Sequence, residues 1–369
     1  AQIEGFSSAQ LQALTTAQVA ALTTAQVAAI PTADFGALTT DQIGALTTAQ
    51  LHALTTRQVE ALSSAQLRAI DAADLATLST DQIEGLSTGQ ISQLTTAQVA
   101  ALTTQQLRAM EDRDLVLLTT DQIAALGTAQ VAGLSTAQVE RLTTAQVAAI
   151  ELADLAVLGT GHMVALGSAQ IAALTTAQVA ALSTTQVAAI EEGDIDALTT
   201  AQVAALTTAQ VQVMSSEQLA RLSSTQLAAL GTAAIRAIET GDLAAISSAE
   251  IAALSSDQIR ALSDAQIEAL SAQQLAAIET ADLVGMSSSQ IAAIEVADIP
   301  GLTTGQMAAL GAAQITKLTT DQLQALGTAQ VQAITTANVA ALTTDQVQAL
   351  TSAQVAALTT AQLQAVQTD

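Results

Sequence analysis

An eight-residue repeat governs the whole sequence. Residues 14–21 read Leu-Thr-Thr-Ala-Gln-Val-Ala-Ala, and a second copy opens at once at Leu22. We number this octad 1 to 8 from its leucine. Position 1 then recurs from Phe6 to Val366 with no insertion or deletion, and positions 1 and 6 are apolar throughout. Unbroken phase of this kind means that each copy packs on its neighbours in one fixed way, which is typical of a solenoid.

The first half of the octad predicts the start of a helix. Thr15 and Gln18 are spaced as in a capping box, where the hydroxyl accepts from the backbone N–H of the third helical residue and the glutamine reaches back to the N–H of the capping residue. Leu14 and Val19 have the spacing of a hydrophobic staple. Such a helix can run only to about position 8, because the next cap interrupts it.

The sequence therefore predicts an all-α solenoid of very short capped helices, one for each octad. We expect a single continuous array over residues 1–369 with no separate domains. A β-solenoid is the alternative, because the repeat is short and rich in threonine. It fits less well, since positions 1 and 6 would lie on opposite faces of a strand, and alanine and glutamine favour helices.

A second kind of octad carries an acid or a proline at position 2 and aspartate at position 5. Its first five copies recur at every fifth octad, and three more follow at less regular intervals; the eight open at Ile30, Ile70, Met110, Ile150, Ile190, Ile238, Ile278 and Ile294. We expect the helix to start one residue earlier in these octads, or to fuse with the preceding helix. The five-octad period predicts about five short helices in each superhelical turn.

The aspartates at position 5 of these variant octads are candidate calcium ligands. With five octads in each turn the first five would stack along one edge, where carboxylates repel one another unless they bind cations, and calcium takes carboxylate oxygens. The alternative is a solvated corner whose acids favour helix N-termini. Calcium is the only cofactor that the sequence suggests, and its candidate ligands are Asp34, Asp74, Asp114, Asp154, Asp194, Asp242, Asp282 and Asp298.

Charge and composition argue against several classes of function. The net charge of −24 repels nucleic acid and anionic membranes. No apolar run approaches the roughly 20 residues of a transmembrane helix, so membrane insertion is not expected. The only histidines are His52 and His162, and neither has a neighbour that suggests a metal site or a catalytic triad. We expect both to be surface substitutions and the protein not to be an enzyme.

The Leu-Thr-Thr-x-Gln octad resembles tracts in very large secreted or surface proteins of Gram-negative bacteria, of adhesin or filament type. This resemblance covers the whole chain and implies an extracellular or cell-surface structural role. A likeness to TAL-effector repeats is limited to the opening Leu-Thr and the following Gln-Val, so DNA binding is not carried over from it.

These observations predict a structural protein, either the subunit of an extracellular filament or a rigid surface spacer. Both ends of the sequence stop at octad position 4 without a distinct polar cap repeat, which predicts that copies stack end to end or that the chain is cut from a longer array. The alternative is an adhesin-type binding module that presents one face to a protein, a glycan or cations. A more distant alternative is a surface that binds ice through its rows of threonine.

Overall fold

The protein is helical throughout the part that the structure, a computed structural model, describes. That part is residues 2–366, apart from the side chain of Asp112. It contains 44 short α-helices and two 3-10 helices, and no strand is present in this range. The predicted all-α solenoid of short helices is confirmed, and the β-solenoid alternative is wrong. None of the described helices is long and apolar enough to span a membrane.

Contacts between residues divide the chain into two compact units, residues 1–182 and 183–369, which we call the first and the second unit. The expectation of one array without separate domains stays a prediction. The first unit opens with a 3-10 helix at Ile3–Gly5. Its α-helices are α1 (Ser8–Gln12), α2 (Thr16–Ala20), α3 (Thr24–Ala28), α4 (Thr32–Phe35), α5 (Thr40–Gly44), α6 (Thr48–His52), α7 (Thr56–Glu60), α8 (Ser64–Arg68), α9 (Ala72–Leu75), α10 (Thr80–Glu84), α11 (Thr88–Ile91), α12 (Thr96–Ala101), α13 (Thr104–Ala109), α14 (Asp112–Leu115), α15 (Thr120–Ala124), α16 (Thr128–Ala132), α17 (Thr136–Arg141), α18 (Thr144–Ala149), α19 (Leu152–Leu155), α20 (Thr160–Ala165), α21 (Ser168–Ala173) and α22 (Thr176–Ala181).

The second unit repeats the same plan, with one 3-10 helix at Ile299–Gly301. Its α-helices are α23 (Thr184–Ala188), α24 (Glu192–Ile195), α25 (Thr200–Ala204), α26 (Thr208–Gln212), α27 (Ser216–Ala220), α28 (Ser224–Ala229), α29 (Thr232–Ala237), α30 (Thr240–Leu243), α31 (Ser248–Ala252), α32 (Ser256–Ala261), α33 (Asp264–Glu268), α34 (Ala272–Ala277), α35 (Thr280–Gly285), α36 (Ser288–Ala292), α37 (Thr304–Ala309), α38 (Ala312–Ile315), α39 (Thr320–Ala325), α40 (Thr328–Ala333), α41 (Thr336–Ala340), α42 (Thr344–Ala349), α43 (Ser352–Ala357) and α44 (Thr360–Ala365).

The octad of residues 142–149 shows how one repeat is built. Leu142 and Thr143 are both extended, with φ and ψ of −54° and 137° and of −69° and 157°, and α18 follows them. The hydroxyl of Thr143 accepts from the N–H of Gln146 at 3.2 Å, and the N–H of Thr143 donates to Gln146 Oε1 at 2.8 Å. The predicted capping box is therefore confirmed, and it ends one helix and starts the next within two residues.

The core of each unit is a narrow column of aliphatic side chains from positions 1 and 6. Leu142 is 4 % exposed and Val147 is fully buried, and the equivalent residues of most other octads are buried in the same way. Burial of this apolar surface is the main force that holds one turn on the next.

Within each unit most helices pack against the helix three octads later, as α15 does on α18 and α18 on α21 in the first unit and α26 on α29 in the second. A turn therefore contains between three and four octads, and the expectation of about five is wrong. The physical reason is the width of the core. Two aliphatic side chains from each octad fill only a thin column, around which five helices would leave a cavity.

The variant octads also differ from expectation at their helix starts. In seven of them the helix begins at position 3, as in other octads, and in six of these it is only four residues long. The octad that opens at Ile294 forms instead the 3-10 helix at Ile299–Gly301. The position-2 residues stay extended, as Pro31 and Glu151 do at ψ of 141° and 152°, and make no side-chain cap bond. The residue before Glu151, Ile150, is extended too. Both the earlier start and the fusion with the preceding helix are wrong, because position 1 must remain extended to turn the chain into the core.

Candidate functional site: the interface between turns

The glutamine at position 5 connects one turn to the turn before it. Gln146 is 2 % exposed, and its Nε2 donates to the carbonyl oxygens of Leu115 at 2.9 Å and Leu118 at 2.8 Å. Its Oε1 accepts from the cap N–H of its own helix, at Thr143. One buried side chain thus pairs with a backbone N–H at the start of α18 and with two backbone carbonyl oxygens, one at the end of α14 and one just beyond it. A short helix cannot satisfy these backbone groups with its own hydrogen bonds. We call this arrangement a glutamine bridge.

Glutamine bridges recur through both units. Each has a bond from Nε2 to the carbonyl oxygen of a position-1 residue in the preceding turn, and most have a second bond to the carbonyl oxygen of position 6 or 7 in the octad before that residue. The bridging residues are Gln42, Gln50, Gln58, Gln66, Gln82, Gln90, Gln98, Gln106, Gln122, Gln130, Gln138, Gln146, Gln170 and Gln178 in the first unit and Gln218, Gln226, Gln258, Gln266, Gln274, Gln290, Gln306, Gln314, Gln322, Gln330, Gln346, Gln354 and Gln362 in the second.

Aspartate at position 5 makes a different bond to the preceding turn. Asp34 Oδ1 accepts from the hydroxyl of Ser8 at 2.5 Å, and Asp74 Oδ1 from the hydroxyl of Thr48 at 2.6 Å. Asp282 accepts from Ser256 in the same way. Asp298 accepts from the backbone N–H of Ala272 at 2.8 Å. The shorter carboxylate thus bonds to the start of an earlier helix, whereas the longer glutamine bonds to the end of one.

The structure does not bring the aspartates of the variant octads together. Because a turn closes within three to four octads, copies spaced five octads apart fall on different sides of the column, and the expected stack of carboxylates is wrong. Among the residues that the structure describes, no three His, Asp or Glu side chains form a group that could hold a metal ion. Calcium binding by a single variant octad stays a prediction.

The sequence of the chain matches a known repeat family. The model of the ALTTAQ repeat matches almost the whole chain, over residues 1–32, 27–64, 67–104, 94–128, 107–144, 123–150, 147–184, 187–224, 235–272, 275–312, 291–328, 315–352 and 331–368. The chain belongs to the ALTTAQ repeat family. No curated protein matches it significantly in sequence. The expected tandem octad repeat is therefore confirmed, whereas its bacterial surface context stays a prediction.

Three aspartates of the variant ALTTAQ repeats are held in unfavourable surroundings. Burial, and then the charge of Glu151, raise the pKa of Asp154 above its ordinary value. Burial likewise raises the pKa of Asp242 and of Asp114, and Asp114 Oδ1 is a buried oxygen without a hydrogen bond. A carboxyl whose pKa is higher in the folded than in the unfolded chain contributes stability that is complete below about pH 4 and is lost as the pH rises through the folded-state value. These three carboxyl groups therefore contribute less to the stability of the fold at neutral pH than in mild acid.

The two histidines do not share one environment. His52 is exposed at the end of α6, as expected. His162 is not a surface substitution, because it stands at position 5 of its ALTTAQ repeat and makes the bonds of a glutamine bridge. Its Nδ1 lies 3.1 Å from the N–H of Gly159, and its Nε2 lies 2.9 Å from the carbonyl oxygen of Leu134.

Sequence reasoning assigned the position-5 glutamine to the cap alone and missed its bonds to the preceding turn. A signal was present. A capping box accepts glutamate as readily as glutamine at this position, yet glutamate occurs there only once, at Glu250. Glutamate can accept from the cap N–H but cannot donate. A near-exclusive choice of glutamine in ALTTAQ repeats therefore indicates that the side chain must also donate.

Replacing Glu250 with glutamine is expected to stabilise the second unit by about 1 to 2 kcal/mol. Glu250 keeps its cap bond to the N–H of Ser247 at 2.7 Å but is only half buried. The amide of the new side chain would be placed to donate to the carbonyl oxygens of Leu219 and Leu222, which hold the same positions in the preceding turn as Leu115 and Leu118 do for Gln146. The measurement is the urea dependence of the helical circular dichroism signal. Glu268→Gln removes the same charge from an exposed position, and an equal gain there would contradict the prediction.

Proposed function

We propose that this protein is a structural element, a rigid spacer or filament subunit built by stacking ALTTAQ repeats. The observation that carries the proposal is the repetition of one contact. Within each unit a buried pair of aliphatic side chains and a glutamine bridge join most ordinary octads to the turn before them. A contact that is repeated from turn to turn resists bending and extension along the whole of its length, which is what a spacer requires.

The composition of the exposed positions is consistent with this role. Positions 3, 4 and 7 are mostly Thr, Ser, Ala and Gln, and the net charge of −24 keeps neighbouring molecules apart. An extracellular or cell-surface location is part of the proposal, and it rests on the resemblance to octad tracts of large secreted proteins. The binding-module and ice-surface alternatives, and the absence of enzymatic activity, stay predictions.

Distances measured within the first unit test the spacer role. The chain has no cysteine, so pairs of spin labels can be placed at will. Ala49 is labelled together with Ala97, Ala145 or Ala169, which are exposed and occupy the same octad position. Helices pack about 8 to 10 Å apart, so the distance should grow by about that amount for every turn of three to four octads. A distance that levels off, or broad distributions, would rule out a rigid spacer.

Electron microscopy of the purified protein, with and without a calcium chelator, separates the filament from the isolated spacer. Long uniform fibres would support the filament, and their loss on chelation would show that calcium joins the subunits. Single short particles at high protein concentration, whether or not calcium is present, would contradict the filament proposal. The spacer proposal would then be tested by the distance measurement alone.

A further inference from the structure

We infer that His162 is a pH-sensitive bridge at which the turn containing α20 loosens from the preceding turn when the ring is protonated. The inference begins from the two bonds of its imidazole. The N–H of Gly159 can only donate, so Nδ1 must accept and carry no proton. The carbonyl of Leu134 can only accept, so Nε2 must carry the proton. The geometry therefore fixes a neutral ring in one tautomer.

Protonation is incompatible with this arrangement. A second proton on the ring would sit on Nδ1 and point at the N–H of Gly159, which replaces a hydrogen bond by the approach of two donors. Glutamine bridges have no such response, because the amide does not titrate. Histidine is the side chain whose charge ordinarily changes between about pH 5 and 8. His162 thus gives a pH response to a contact that is insensitive to pH in the octads with glutamine at position 5.

The local sequence makes this bridge more important than most. The residue that caps α20 is Gly159, which has no hydroxyl to accept from the helix, so the ring supplies the side-chain part of the cap by itself. Thr136 on α17 lies close to α20 at Gly161, so the two turns are in contact beside this bridge. Loss of the ring's bond to Gly159 therefore leaves the start of α20 with backbone bonds alone.

Other titratable groups near this contact are carried by neighbouring elements. α17, which packs on α20, carries Glu140 and Arg141 at its end, and the preceding octad carries Glu151 and Asp154. α16 and the loop to Leu134 carry no titratable side chain. Because His162→Gln leaves all four of these groups in place, the variant separates the response of the ring from theirs.

The test is the protection of the Gly159 amide against hydrogen exchange, measured by NMR at pH 7.5 and pH 5 in the wild-type protein and in His162→Gln. The protection factor, corrected for the intrinsic pH dependence of exchange, should fall about tenfold in the wild type, the value expected for one lost hydrogen bond. It should be unchanged in His162→Gln, which restores the ordinary glutamine. His52→Gln is the matched control and should behave as the wild type does.

Two results would overturn the inference. One is an equal fall in protection in His162→Gln, which would assign the response to the carboxylates. The other is a ring nitrogen spectrum at pH 7.5 that places the proton of His162 on Nδ1. This second measurement uses the wild-type protein alone, so it holds whatever the stability of the variants.

Discussion

Replacing Gln146 with glutamate is expected to destabilise the first unit by about 3 to 5 kcal/mol. The substitution keeps the cap bond to Thr143 but removes both bonds from Nε2 to the carbonyl oxygens of Leu115 and Leu118. It also places a carboxylate against those two oxygens in a buried site, and a buried charge without a partner costs several kcal/mol. Because repeat arrays need not unfold in a single step, the loss is best measured by native-state hydrogen exchange at the amides of α14 and α18.

Gln18→Glu is the matched control for this prediction. Gln18 makes the same cap bonds to Thr15 but is exposed and donates to no carbonyl among residues 2–366. Its replacement should be nearly neutral, since glutamate serves equally well in a capping box. Burial raises the pKa of a glutamate at position 146, so its cost should shrink as the pH falls and the neutral acid regains a donor. Equal effects at the two positions would refute the importance of the bridge.

Phe35→Ala is the second change for which we expect a large effect, a loss of about 3 to 5 kcal/mol. Phe35 is fully buried at position 6 of the first variant octad, at the end of α4. The core is a narrow column of side chains from positions 1 and 6, so few neighbouring residues can move to close the cavity that alanine would leave. The measurement is the midpoint of thermal unfolding, together with hydrogen exchange at α1 and α7, the helices that pack on α4.

Two further substitutions show whether the loss at position 35 comes from the cavity. Phe35→Leu introduces a residue that the chain uses at the same position in Leu75 and should cost less than about 1.5 kcal/mol. Phe6→Ala removes the only other aromatic ring, which is 36 % exposed, and should cost less than about 1 kcal/mol. If Phe35→Leu were as damaging as Phe35→Ala, the aromatic ring itself, rather than the filled volume, would be what the fold requires.

The helix starts could be predicted from the sequence because they depend on chemistry within one octad. Thr143 and Gln146 are close neighbours in the chain, and the bonds that join them need no information about the rest of it. The burial of positions 1 and 6 could be predicted for the same reason, since these two apolar residues flank the cap with the spacing of a hydrophobic staple. Interactions within one octad were therefore enough to predict the short helix, its capping box and its buried residues.

The length of a turn could not be predicted in this way, because it depends on contacts between octads that are far apart in the sequence. The five-octad spacing of the variant octads is a regularity of the sequence, whereas the turn is set by the reach of Gln146 to Leu115 and Leu118 and by the width of the aliphatic column. The same error misplaced the candidate calcium site, since Asp34 and Asp74 were expected to share an edge. The expectation that His162 lies at the surface was wrong for a related reason. Its neighbours in the sequence suggested no role, whereas its place at position 5 of the octad is the place from which glutamine bonds to the preceding turn.

The glutamine bridge also gives the interface between turns a direction. The amide donors always come from the later turn and the carbonyl acceptors from the earlier one, so the two sides of the contact are chemically different surfaces. Two copies of one side cannot satisfy each other, which excludes a two-fold symmetric pairing of molecules through this contact. Any assembly that reused it would have to join unlike surfaces, head to tail. Such an assembly would be polar and, unless it closed into a ring, would grow without a built-in limit.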